Sequence, residues 1–505
     1  MKTILEKLEE NAKNFPNKVI FSDINESITF ADFVQKCKTN ASKLAAIGYR
    51  NSAIAVFDNR NVNTLVNMFS VLYSGNFYVV IDSQSPAERV QKIYDIIKPC
   101  ASICEEANES LFNQLSTDSS LIDFNSLSEN LNVEIIDLVR KTQISTDPAY
   151  ALFTSGSTGL PKGTILSHQN IVSYIKWFVD EFKITEETIF ANQTPFYFSM
   201  SVSDIFATVY AGATFNIVPK SYFSFPIQLV NFLNERKVNT IYWVPSALCI
   251  VANLKLFDFA KPSFIEKVLF AGEVMPNKQL NYWRKHLPNV MYANLFGPTE
   301  TTDICTFYVV NREFKDDESL PIGKPCDNCD TFLVDENNKL ITEQGVIGEL
   351  YARGPFVAYG YYDNPEKTSS AFVQNPLHNH YPEIVYKTGD LAKLNEFGEY
   401  EYAGRKDFQI KHMGYRIELG EIETAASAIE KINSVVCVYD MVKDYIIMVY
   451  EGKLDETQLL EEIKNKVPKY MVPNIVIKVR QMPYNQNGKI DRAWIKTNYA
   501  TLIKQ

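Results

Sequence analysis

A strand-like pair, Leu152-Phe153, runs into a row of small and hydroxyl residues, Thr154-Ser155-Gly156-Ser157-Thr158-Gly159, followed by Leu160-Pro161-Lys162-Gly163. Residues this small let a backbone approach an anion closely, and their N–H and hydroxyl groups can wrap phosphate oxygens. Lys162 adds a positive charge. The spacing Gly156-x-x-Gly159-x-x-Lys162 is not that of a Walker A loop. No G-x-S-x-G nucleophile elbow occurs here either. A flexible Ser/Gly linker is the competing reading, but a linker seldom follows an apolar strand and carries Pro-Lys-Gly. Phosphate binding is the chemistry to expect of this loop.

Other chemistries have less to draw on. The five histidines are His168, His286, His378, His380 and His412. The eight cysteines are scattered, with two close pairs, Cys100/Cys104 and Cys326/Cys329, neither beside a second well-spaced pair that would make a zinc site. Scattered reduced thiols fit a cytoplasmic protein. Fifty basic and sixty acidic residues give a formal net charge of −10, with no basic block. That argues against nucleic acid or an anionic membrane as partner. Met1 to Asn11 lacks the apolar stretch of a signal peptide, and no window approaches the ~18 apolar residues of a membrane span.

The elements that must hold the loop alternate. Strand-like Val19–Asp23, Ile54–Asp58 and Tyr78–Asp82 are separated by helix-like Thr29–Ala46 and Val62–Tyr73. Ser85-Pro86-Ala87-Glu88 reads as a helix start with Ser as cap. The rhythm resumes with strands 188–193, 214–218 and 240–244 and helices 202–210 and 225–236. Such alternation implies parallel sheet with helices on its faces. The stretch 110–146 reads as a polar surface excursion. From Gly323 to about Gly404, short alternating strands imply a β-rich subdomain. The last hundred residues read as a small α+β domain, opened by a hairpin of Phe408–Lys411 and Tyr415–Glu418. The fold class expected is α/β: a large N-terminal region of mixed and parallel sheets with flanking helices and a β-rich subdomain, then a small mobile C-terminal domain.

The loop resembles the signature of the adenylate-forming superfamily, which includes acyl-CoA synthetases, peptide-synthetase adenylation domains and luciferases. Further stretches resemble that family's motifs in its order: Tyr292–Thr302 (YANLFGPTETT), Gly348–Gly354 (GELYARG), Tyr386–Asp390 (YKTGD), Gly404–Lys411 (GRKDFQIK) and Asn487-Gly488-Lys489. The resemblance covers nearly the whole chain. It implies ATP and Mg²⁺ as cofactors, a core over 1–406, and a mobile lid over 407–505 with Asp407 as hinge.

The resemblance also implies roles. Thr154, Ser155, Gly156, Ser157, Thr158, Gly159 and Lys162 would hold the departing phosphates. Glu300 would hold Mg²⁺, and Thr299 would donate to the α-phosphate. Phe296 would stack on adenine, with Asn294 at its edge and Gly272, Glu273 and Gly297 in the nucleotide site. Asp390 suits the ribose hydroxyls and Arg405 bridges ribose and phosphate. Lys489 would be the adenylation lysine, against the alternative of a solvated tail charge. Rotation at Asp407 would exchange Lys489 for the Lys411–Gly414 face in a second half-reaction.

The substrate pocket would be drawn from Phe198, Ser199, Ser203, Phe270, Ala271 and Leu295. Relatives that bind an α-amino group usually have Asp where Ser199 stands, and D-alanine ligases tend to have Cys where Ala271 stands. Ser cannot replace a carboxylate that pairs with an ammonium. Asp204 would lie about 140° around a helix from Ser199 and does not simply substitute. The activated acid therefore lacks an α-ammonium, carries its amine elsewhere, or meets another acidic partner. The context of Asp407 is most like D-alanine–carrier protein ligases and peptide-synthetase adenylation domains. No carrier domain follows Lys489, which leads to the expectation of a free-standing ligase. It would load a small amino or carboxylic acid onto a separate acyl or peptidyl carrier protein. An acyl- or aryl-CoA ligase using CoA is the second reading, and a non-catalytic scaffold the third. A basic patch near Lys411, Arg416 and Lys469 would meet an acidic carrier.

Overall fold

The strand Ala53–Asp58 is buried at every position, the mark of a parallel strand covered on both faces. The computed structural model places it inside a seven-stranded sheet, parallel to Phe77–Asp82 on one side and Ala101–Cys104 on the other. The structure describes residues 1–123, 131–156, 160–406, 409–484 and 490–503. Beyond Phe77–Asp82 the sheet continues into Pro148–Thr154, which pairs antiparallel with Lys162–Ser167. The phosphate-type loop connects these last two strands.

A second sheet has nine strands. Its Ile189–Asn192, Thr240–Trp243, Lys267–Ala271 and Met291–Phe296 are parallel neighbours. The helix Val62–Tyr73 packs on the first sheet and Met200–Ala211 on the second. They meet at Phe69 and Phe206, whose ring centroids are 5.6 Å apart. Both helices are buried nearly all round, as helices enclosed by other elements must be. Caps fix where helices begin: Asn61 accepts from the Thr64 N–H, and Ser167 and Asn170 form a capping box.

The strands between Asp330 and Arg405 form an antiparallel six-stranded sheet, the expected β-rich region, except Gly360–Tyr361, which pairs with Lys162–Ser167 at the edge of the first sheet. Residues 409–503 carry the hairpin Gln409–His412/Tyr415–Glu418 and a three-stranded sheet of Ile432–Asp440, Tyr445–Gly452 and Ile475–Lys478. Alternation along the strands gives this sheet two apolar faces. Val435 and Cys437 join one cluster with Ile422 and Leu459, while Val436 and Val438 join another with Ile495. The α/β class with a small C-terminal domain is what the structure has. Among the described residues no helix is long and apolar enough to cross a membrane.

Two expectations need correction. The stretch 110–146 is not merely an excursion. Ser120–Asp123 adds a parallel edge strand beside Ala101–Cys104, and Val133–Thr142 is a helix that buries Ile136 and Val139. The strand is short and largely exposed, so no apolar period announces it. The helix at Ala87–Ile97 begins after Pro86 and without the Ser85 cap. The Ser85 hydroxyl instead donates to Asp82 Oδ2 at 2.8 Å, closing the turn that precedes the helix.

Candidate active site

The C-terminal ends of parallel strands are where α/β sheets present ligands. Here Lys267–Ala271 and Met291–Phe296 run out into Gly272 and into the Gly297–Thr302 turn. These border a cavity together with Thr154, Ser155, Phe198, Ser199, Asp303, Asp390 and Arg405. The C-terminal hairpin closes it, contributing Lys411, Gly414 and Arg416.

On the loop side, the Thr154 hydroxyl is buried and has no protein partner. It is a donor waiting for an acceptor. Ser157, Thr158 and Gly159 lie outside the described residues. Lys162 Nζ sits 3.2 Å from Glu300 Oε1 and over the Tyr361 ring. Burial, then the nearby Arg416 charge, lowers the Lys162 pKa to about 8. Glu300 is fully buried. Its Oε1 also accepts from the Tyr361 hydroxyl at 2.7 Å, and its Oε2 accepts from Arg416 Nη1 at 2.6 Å. Burial alone would raise the Glu300 carboxyl, but Arg416 and Lys162 more than offset it and hold it well below the ordinary range.

The hairpin is held by specific contacts. Gly414 has φ +80°, and a Cβ there would come within 2.5 Å of Val244 Cγ1, so only glycine fits. Its N–H donates to Glu273 Oε1 at 2.7 Å, and Glu273 Oε2 accepts from the Ser246 N–H. Ser155 Oγ donates to the Arg416 carbonyl at 2.7 Å and accepts from the Glu418 N–H at 3.0 Å. Tyr415 meets Phe198 edge-on and stacks on Tyr470 at 3.7 Å. Lys411 lies 4.4 Å above the Phe296 ring. At a distance from the cavity, Arg89 of the helix Ala87–Ile97 forms a buried ion pair with Glu421 of Leu419–Ser427. Breaking such a pair strands a buried charge. Glu421→Gln is therefore expected to loosen the docked hairpin. Trypsin cleavage after Lys411 and Arg416, both shielded here, should rise several-fold; an unchanged digestion rate would show that the pair does not hold the lid.

The predicted residues are only partly brought together. Asp390 and Arg405 pair at 2.9 Å in the cavity wall. Phe198, Ser199, Ala271, Gly272, Gly297 and Thr299 line the same space. Phe270 and Leu295 do not line it; both are buried in the core. Neighbouring positions on a strand face opposite sides, so only alternate residues of Phe270-Ala271 and Leu295-Phe296 can reach a ligand. Asn294 donates an amide N–H to the Pro321 carbonyl at 2.8 Å, a bond that orients the side chain without using its carbonyl oxygen. Ser203 sits behind the lining and donates to Asp303 Oδ2 at 2.5 Å. Asp407 and Lys489 lie outside the described residues. The surface patch expected near Lys411, Arg416 and Lys469 is not formed, because the first two turn inward to Phe296 and Glu300.

Sequence reasoning missed two residues. Arg416 entered it as a surface charge, and only tertiary docking puts it on Glu300. Asp303 was not singled out, although an acid embedded in Thr301-Thr302-Asp303-Ile304-Cys305 is a signal in itself.

Comparison with known proteins places this geometry. The model of the family described as AMP-binding enzyme matches residues 8–362. Tyrocidine synthase 3 of Brevibacillus parabrevis is 30% identical over 97% of the chain, which spans 8% of that protein. Zwittermicin A synthase ZmaJ of Bacillus cereus is 30% identical over 97% of the chain and 94% of its own length. The solved structure of holo-PA1221, titled an NRPS protein containing adenylation and PCP domains, superposes with a TM-score of 0.84 at 21% identity, covering 98% of this chain and 84% of that one. The chain belongs to the AMP-binding enzyme family, as an adenylate-forming enzyme close to the adenylation domains of nonribosomal peptide synthetases.

Proposed function

We propose that the protein uses ATP to adenylate a small amino acid, or a related small carboxylic acid, and passes the acyl group to the phosphopantetheine thiol of a separate carrier protein. One observation carries the reading: the cavity is completed by a hairpin of the small domain, which reaches across to Glu300, Ser155 and Glu273 of the large one. In the first step a carboxylate oxygen attacks the α-phosphorus and the bond to the β-phosphate oxygen breaks, releasing pyrophosphate. In the second, a thiolate attacks the acyl carbon and AMP leaves.

In this reading Thr154, the following loop and Lys162 take the β- and γ-phosphates. Thr299 donates to the α-phosphate, Asp390 accepts from the ribose hydroxyls, and Arg405 spans ribose and phosphate. Among the described residues no group of three or more His, Cys, Asp or Glu gathers as for a metal ion. A lone buried carboxylate such as Glu300 fits Mg²⁺ held mainly by the nucleotide's own phosphates, where it would neutralise their charge. The boundary between core and lid falls at 406/407 with Asp407 as hinge. The docked hairpin suits the thioester step, and rotation would bring Lys489 in for adenylation. All eight cysteines are free thiols, which suits a reaction carried out in the reducing cytoplasm.

The matched synthases and the neighbour whose title names a PCP domain support a carrier thiol as acceptor. Ser199, standing where amine-binding relatives have Asp, favours a second reading, a CoA ligase for an acid without an α-amino group. Pyrophosphate exchange across a panel of amino, hydroxy and aryl acids tests the first step. Adding CoA or a purified holo-carrier protein to the responding acid tests the second. Thioester on the carrier and none on CoA is the expected result; the reverse would install the second reading, and no exchange with any acid would refute both.

A further inference from the structure

Asp303 is a carboxylate buried in the wall of the acid-binding cavity, and it forms no ion pair among the described residues. Its Oδ2 accepts from three hydroxyls: Ser203 at 2.5 Å, Tyr242 at 2.9 Å and Tyr174 at 3.3 Å. Ser199 lines the same cavity as Asp303. Ser199 and Ser203 lie one helical turn apart, so the carboxylate reaches the same helix face that a carboxylate at position 199 would have occupied. The other buried acid nearby, Asp204, is turned away and takes the Asn192 amide at 3.0 Å.

The backbone is built to put Asp303 there. The residue before it, Thr302, has φ +70° and ψ −57°, which is strained for a β-branched side chain. Its hydroxyl is tied to the Phe356 carbonyl at 2.8 Å. A Cβ on Gly297 would come within 2.4 Å of the Asp303 carbonyl oxygen, so the turn closes only with glycine there. Three hydroxyls hydrogen-bond this carboxylate without neutralising its charge, and a buried anion without a cation is costly unless a ligand brings one. Strained backbone and an uncompensated buried charge in a cavity together mark a binding group.

We infer that Asp303 is the receptor for the substrate's ammonium group, standing in from the turn after Glu300 for the carboxylate that Ser199 lacks. This rests on the adenylation reading and narrows its substrate class. The acid activated carries an amine, and hydroxy, aryl or fatty acids are poor substrates. A site built around an anion rejects the neutral isostere because the carboxylate is left without its counter-charge.

The test uses matched acids in pyrophosphate exchange: alanine against lactate, and β-alanine against 3-hydroxypropanoate. Wild-type enzyme is expected to favour at least one amino member over its hydroxy partner by roughly 100-fold in kcat/KM. Asp303→Asn keeps the size and should cut that ratio at least tenfold with the KM for ATP unchanged. Ser199→Asp added to Asp303→Asn should restore it by returning the charge from the neighbouring position. An unaltered ratio in Asp303→Asn, or wild-type preference for the hydroxy members, overturns the inference. Exchange with no acid would refute the adenylation reading instead. In that case melting with alanyl- and lactyl-sulfamoyl adenosine decides: stabilisation by the alanyl compound that Asp303→Asn abolishes supports Asp303, and equal stabilisation by the two overturns it.

Discussion

Lys489→Ala is expected to lower acid-dependent pyrophosphate exchange by more than ~100-fold, the scale of losing a charged transition-state contact. Attack of a carboxylate on an α-phosphate brings two anions together, so the step needs a cation at their junction. The cations around the described cavity are largely committed elsewhere: Arg405 to Asp390, and both Lys162 and Arg416 to Glu300. Lys489 immediately precedes Ile490 in the chain, and Ile490 pairs with Tyr484. Ile490 packs with Met482 and Ile495 against the small three-stranded sheet, and none of these lines the cavity. In the proposed hinge reading, the small domain turns from the docked arrangement for Lys489 to act. That gives the prediction a second half. Thioester formation from supplied acyl-adenylate should change less than about threefold in Lys489→Ala. Lys411→Ala, which alters the docked face, should show the reverse pattern. Exchange that survives in Lys489→Ala would remove the lysine from the mechanism.

Where sequence sufficed, the cause is local. The helices expected over Thr29–Ala46 and Val62–Tyr73 read from their own apolar spacing, and the structure has them at Phe30–Ala46 and Val62–Tyr73. Ala53–Phe57 is apolar throughout because both faces of the strand are covered, and that shows in the sequence. What was not legible depends on pairs distant in the chain. Ser155 meets Arg416 and Glu418 across some 260 positions, and Ser203 meets Asp303 across 100. No period or motif encodes such partners. Ser199 was legible as a loss of charge, but the compensating acid lies on a different element.

Glu300→Gln should be the most damaging single change in the large domain. Both oxygens of this carboxylate are occupied, Oε1 by Lys162 and Tyr361 and Oε2 by Arg416. A neutral amide leaves two buried cations without their anion, a loss of about 3–5 kcal/mol for broken buried pairs. The pH dependence follows from the sign of the Glu300 shift. Its folded carboxyl is held below the ordinary glutamate value of 4.5, so the pair stabilises the fold above that pH, and the contribution is lost as pH falls through the folded value. Melting temperature should thus drop several degrees in Glu300→Gln at pH 7, and the difference from wild type should shrink on acidification. Activity should fall further than stability. Lys162 and Arg416 occupy the carboxylate that would hold a phosphate-borne Mg²⁺, just as the Arg416 carbonyl and Glu418 N–H occupy the Ser155 hydroxyl. On the proposed reading the hairpin and the triphosphate would compete for these groups, and the lid would dock fully after pyrophosphate leaves. Glu300→Gln removes the anionic centre, so both exchange and thioester formation should fall, exchange by more than ~100-fold. A variant that kept exchange near wild type while melting early would confine Glu300 to holding the lid.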